Sequence, residues 1–208
     1  MGLLNYMALV KHNNNSISAV TSMASLSTGS MVLISEQTAS SSSSIDFTSG
    51  IDSTYPIYKF EFIALHPSAS APAFNFQTDT GTNTNYNQTV TTTNFRAYHY
   101  ENDSGAGLGY KTADDLAQST NNVLLIDGVG NANDSCTSGN LFLFNPSSSV
   151  FVKHFIANFI DDYDSSIANH YFTAGYFNTT TALTRTRFQM STGNIDSGTI
   201  KLYGIKDS

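Results

Sequence analysis

Charge is scarce in this chain. Asp, Glu, Lys and Arg make up 12% of its 208 residues, about half the usual share. There are only nine Lys plus Arg against sixteen Asp plus Glu, for a net charge of −7. With no basic patch there is no electrostatic footprint for nucleic acid. Glu is limited to Glu36, Glu61 and Glu101, which argues against a coiled coil or an ordinary helical bundle. No apolar run approaches the roughly 20 residues of a membrane span, so no membrane partner is expected. The first base, Lys11, follows the apolar MGLLNYMALV rather than preceding it, the reverse of a secretory signal. Trp is missing, and Cys136 is the lone cysteine. One thiol cannot staple the chain, so the fold must stand without internal disulfides.

Small polar residues fill the space. Ser, Thr and Asn number 28, 24 and 20. Hydrophobic residues still reach 40%, enough for one sizeable core. Residues 1–30 carry scattered apolar residues without a firm period and read as an N-terminal arm. Residues 31–208 read as one β domain.

From Met31 onward the pattern is short β-type runs separated by turn residues. The runs are Met31–Ile34, Ile45–Thr48, Ile57–Leu65, Ala73–Thr78, Thr89–Tyr100, Asn122–Asp127, Leu141–Phe144, Val150–Ile160, His170–Phe177, Arg185–Met190 and Thr199–Ile205. In Ile57–Leu65, Tyr58, Phe60 and Phe62 share one face while Lys59 and Glu61 share the other, the alternation of a half-buried strand. Thr112–Gln118 is the best helix candidate, with Thr112 as its cap. The Gly-rich stretch Glu101–Gly109 reads as a loop, Asp161–Ser166 as a solvated turn, and Ser191–Gly198 as a hairpin connection. Strands without alternating helices imply antiparallel sheets. The expectation is an all-β, two-sheet sandwich, a jelly roll in particular, with one short helix.

Chemistry is thin. Gly105-Ala106-Gly107-Leu108-Gly109 places Tyr110 where a dinucleotide fingerprint needs its third glycine. The five His are dispersed, with a single thiol, so no metal set is expected. Asp161-Asp162-Tyr163-Asp164 lacks the glycine and distal Glu of a calcium loop. No nucleophile and base pair up. The sequence therefore predicts no catalytic residue and no cofactor. Tyrosines near polar loops, Tyr86, Tyr98, Tyr100 and Tyr110, are the candidate ligand contacts, for stacking on a host sugar. Val150–Ile160 is apolar on both faces, which nominates Phe151, Phe155 and Phe159 for an interface between copies.

Six segments carry a likeness: Met7–Ser22, Asp52–Ile63, Phe95–Ser104, Leu141–Ala157, Phe172–Leu183 and Met190–Ile205. Together they resemble a group of tailed-phage virion structural proteins common in aquatic phages. The closing segment is similar to β-sandwich modules of phage decorations and fibres. The resemblance implies a non-enzymatic virion component located in the particle and assembled in the host cytoplasm. It would be a capsid decoration, head-fibre or tail-associated protein contacting other virion proteins such as the major capsid protein; analogy of fold alone adds the expectation of a homotrimer. The alternative expectation is a carbohydrate- or host-receptor-binding module on the virion surface. The resemblance transfers no site residue.

Overall fold

A computed structural model describes residues 30–207. The expected arm, residues 1–30, lies almost wholly outside the described residues. The strands are β1 (Met31–Thr38), β2 (Ile45–Phe47), β3 (Ile57–Pro67), β4 (Phe74–Thr80), β5 (Val90–Tyr100), β6 (Ala106–Tyr110), β7 (Val123–Ile126), β8 (Thr137–Phe144), β9 (Lys153–Asp161), β10 (Ile167–Phe177), β11 (Leu183–Met190) and β12 (Ile195–Ile205). A single helical turn, α1 (Tyr163–Ser166), joins β9 to β10.

The strands form two antiparallel sheets packed as a sandwich. The larger has the order β1-β12-β3-β8-β9-β10-β5-β6, the smaller β2-β11-β4-β7. Two hairpins, β5–β6 and β9–β10, insert into the larger sheet and pair through β5 and β10. Without them the chain changes sheet at every step except from β4 to β7, which pair with each other in the smaller sheet. The remainder is β1-β12-β3-β8 facing β2-β11-β4-β7, the double Greek key of a jelly roll.

Aromatic rings fill the interior. Phe47, Phe60, Phe62, Phe74, Phe76, Phe155, Phe159, Phe177 and Phe188 are all buried. Phe188 of β11 packs against Phe60 and Phe62 of β3 with centroids 5.0 and 4.9 Å apart. Both pairs are edge-to-face, the arrangement that the ring quadrupoles favour. The alternation read in β3 holds: Tyr58, Phe60 and Phe62 are buried, while Lys59 and Glu61 pair outside at 2.6 Å.

Four expectations are corrected. Residues 112–118 form turns, not a helix. Their backbone runs along β5 instead: Thr92 N–H donates to Leu116 O at 2.8 Å, and Val90 and Ser119 bond each other reciprocally. Pairing with an open strand edge outweighs the local preference of a short segment. The Gly-rich stretch ends in β6, whose Gly107 leaves room for the Tyr98 ring; a Cβ there would lie 2.8 Å from it. Ser191–Gly198 is not a hairpin, because β11 and β12 belong to different sheets. It carries the chain across the sandwich. Gly198, at φ +111°, sits where a Cβ would meet Ala64 O at 2.5 Å, so only glycine fits this bulge. Finally, the solvated turn at Asp161–Ser166 contains α1, and Asp161 itself is 5% exposed.

Candidate functional site: an uncharged sheet face and an acidic pocket

The inserted hairpins widen the larger sheet, and its outer side there lacks the polar alternation usual for a solvated face. Strand register places the outward residues in rows. One row runs Phe142, Ile156, Ala174, Thr93. The next runs Asn140, Asn158, Phe172, Phe95, Tyr110. A third runs Ser138, Ile160, His170, Ala97, Leu108. None of these residues is Asp, Glu, Lys or Arg. Leu108 is 73% exposed, Ile160 52% and Ile156 47%. Phe95 and Phe172 stack 4.7 Å apart and form a ridge. Beside it lie two shallow hollows of about 310 and 190 Å³, both bordered by Thr93, Ile156 and Ala174. Ion pairs flank these rows: Lys59–Glu61 at 2.6 Å and Lys201–Glu36 at 3.2 Å toward β3, and His99–Asp103 at 3.1 Å and Lys111–Asp114 at 3.4 Å by β5 and β6.

The residues nominated from sequence are scattered. Tyr86 is buried, its ring 4.1 Å beneath the Arg187 guanidinium; it cannot reach a ligand. Arg187 in turn holds Asp46 through two hydrogen bonds of 2.8 and 2.6 Å. Tyr98 and Tyr100 meet edge to face on the side of β5 opposite Phe95. Tyr110 is on the Phe95 side and donates to Asp115 Oδ2 at 2.6 Å. The four tyrosines thus form no common stacking platform. Phe155 and Phe159 are core residues, each 1% exposed, because they occupy the inward positions of β9. Phe151 is 66% exposed, but it precedes the strand. The outward residues Ile156 and Ile160 were missed, although both lie in the same two-faced apolar run.

A second feature lies at the end of β8, β9 and β10. A pocket of about 400 Å³ is lined by Asp161, Asp162, Glu101 and Asp134, with Cys136, Ser138, Ile160 and Ala168 completing it. No Lys or Arg lines it. Asp161 Oδ1 accepts the Tyr163 N–H at 3.3 Å, while Asp161 Oδ2 is buried with no hydrogen-bond partner. Asp162 Oδ2 accepts from Ser135 Oγ at 2.9 Å, and Asp162 Oδ1 is likewise buried without a partner. Burial pushes the Asp161 carboxyl up to about 7, against the pull of Asn169 and the Tyr163 amide. Burial and the two neighbouring carboxylates also raise the Cys136 thiol, which keeps it protonated and unreactive. Among the described residues, no three His, Cys, Asp or Glu side chains already stand together as a metal cage.

Comparison with family models, with curated proteins and with solved structures finds no match to this chain.

Proposed function

We propose that this chain is a non-enzymatic structural protein of a tailed-phage particle: a capsid decoration, head-fibre or tail-associated subunit. It associates with copies of itself through the outer face of β8, β9, β10, β5 and β6. The observation that carries this reading is the absence of charge on that face, in a chain whose net charge is −7. An exposed apolar surface of this kind marks an interaction site, and an uncharged face lets identical acidic molecules meet without like-charge opposition. The ridge of Phe95 and Phe172 and the hollows beside it offer knob and hole on one surface. The jelly roll is an architecture used by viral capsid domains, and the segment resemblance points the same way. The homotrimer rests on analogy of fold, as does attachment to the major capsid protein through the N-terminal arm.

Mass spectrometry of purified particles tests the virion assignment. Peptides of this chain at stoichiometric level are expected; their absence overturns it. Light scattering of the isolated protein tests self-association, with a trimer expected and a stable monomer at micromolar concentration overturning it.

A further inference from the structure

The acidic pocket stands apart from the assembly face in chemistry. We propose that it binds a calcium ion, held by the carboxylates of Asp161 and Asp162. Asp161 is 5% exposed and keeps one carboxylate oxygen buried without a partner. Asp162, the next residue, does the same with its Oδ1. Two such oxygens on consecutive residues that line one pocket are unusual, because a buried charge is normally paired or bound to a metal. Exposed Glu101 and Asp134 on the rim add negative potential. No Lys or Arg lines the pocket; Arg96 acts on Asp161 from outside it.

The donor set is oxygen-rich and suits a hard cation. Calcium takes six to eight oxygens and accepts waters and backbone carbonyls among them, so two carboxylates make an adequate anchor. Magnesium demands a near-ideal octahedron and gives up its waters reluctantly, so it is the poorer occupant. With only two protein carboxylates, the affinity belongs in the range of extracellular modules, roughly 10⁻⁴ to 10⁻³ M. Bound calcium would tie the end of β9 to the turn α1 and stabilise the junction of the β9–β10 hairpin.

The test is thermal unfolding of the full chain at pH 8 in 10 mM CaCl₂, in 10 mM MgCl₂ and in EDTA, at matched ionic strength. Calcium is expected to raise Tm by about 3–5 °C over EDTA, with a smaller rise from magnesium. Asp161→Asn and Asp162→Asn should each abolish the rise, and Asp161→Asn should melt higher than the parent in EDTA because it removes a buried unpaired charge. Terbium luminescence sensitised by Tyr163 supplies an independent reading on the unmutated protein and should be quenched by calcium competition. No calcium-dependent shift in the parent, or an equal shift in both variants, overturns the site. The virion assignment is unaffected by that outcome, since it rests on the particle's composition.

Discussion

Phe95 stacks on Phe172 with the rings 4.7 Å apart and 11° from parallel, on the outer side of the sheet rather than in the core. Phe95 is 40% exposed. This pair and its neighbours define the face through which the subunit is expected to assemble.

Outward charge should therefore separate assembly from folding. Ile156→Asp or Phe95→Asp places a carboxylate within outward strand rows that carry no Asp, Glu, Lys or Arg. The expected result by light scattering is conversion of the oligomer to monomer. The monomer's Tm should stay within a few degrees of a parent sample diluted below its dissociation constant, since neither side chain belongs to the core. An unchanged oligomer would move the interface elsewhere.

The interior should respond in the opposite way. Phe188 is fully buried and touches rings from both sheets. Phe188→Ala is expected to cost about 3–5 kcal/mol, read from the urea midpoint at unchanged m-value.

Lys153 offers a polar counterpart. Its ammonium is buried and donates to Ser148 O, Phe151 O and Thr179 O at 2.6, 2.7 and 3.2 Å. No carboxylate takes part; carbonyl oxygens alone compensate the charge, and burial lowers its pKa. Lys153→Met keeps the stem but strands three acceptors. A loss of about 2–4 kcal/mol by urea unfolding is expected.

Acidity should stabilise one corner of the fold. The folded carboxyl of Asp161 titrates near 7, against about 3.9 in an unfolded chain. Between those values the folded state holds a proton that the unfolded state has released. Stability from this group is therefore full below about pH 4, falls as pH rises and is gone above pH 7. The drop is on the order of 4 kcal/mol. Urea midpoints of the parent from pH 4 to 8, compared with Asp161→Asn in EDTA, should show that slope in the parent and lose it in the variant.

Most strands were legible because their signal is local. Ile57–Leu65 alternates cleanly, and Tyr58, Phe60 and Phe62 lie inside as that alternation requires. What failed depended on partners distant in sequence. Thr112–Gln118 carries helix-like caps, yet its backbone bonds to β5, some twenty residues earlier. The Ser191–Gly198 turn looks like a hairpin, but Ile195 pairs with Pro67 across the larger sheet. In the two-faced run Val150–Ile160 the exposed apolar residues of β9 are Ile156 and Ile160. Phe155 and Phe159 stand one step of the strand period away, which sends their side chains to the opposite, buried side. Leu108 gave no signal at all, since it stands between glycines in a stretch that reads as loop. Asp161 was read as solvated because nothing local reveals that β10 and the residues before β8 close over it.

The first and last strands lie side by side, Met31 opposite Ile205, with Lys206 N–H bonded to Ser30 O at 2.8 Å. Both exits of the domain therefore emerge at one pole. A tether at the N-terminal exit and a cargo fused at the other end would crowd the same pole, whereas a tension applied between them would peel β1 from β12 one rung at a time. A subunit wired in this way withstands load when it hangs from a single end, and the opposite pole stays free to face outward.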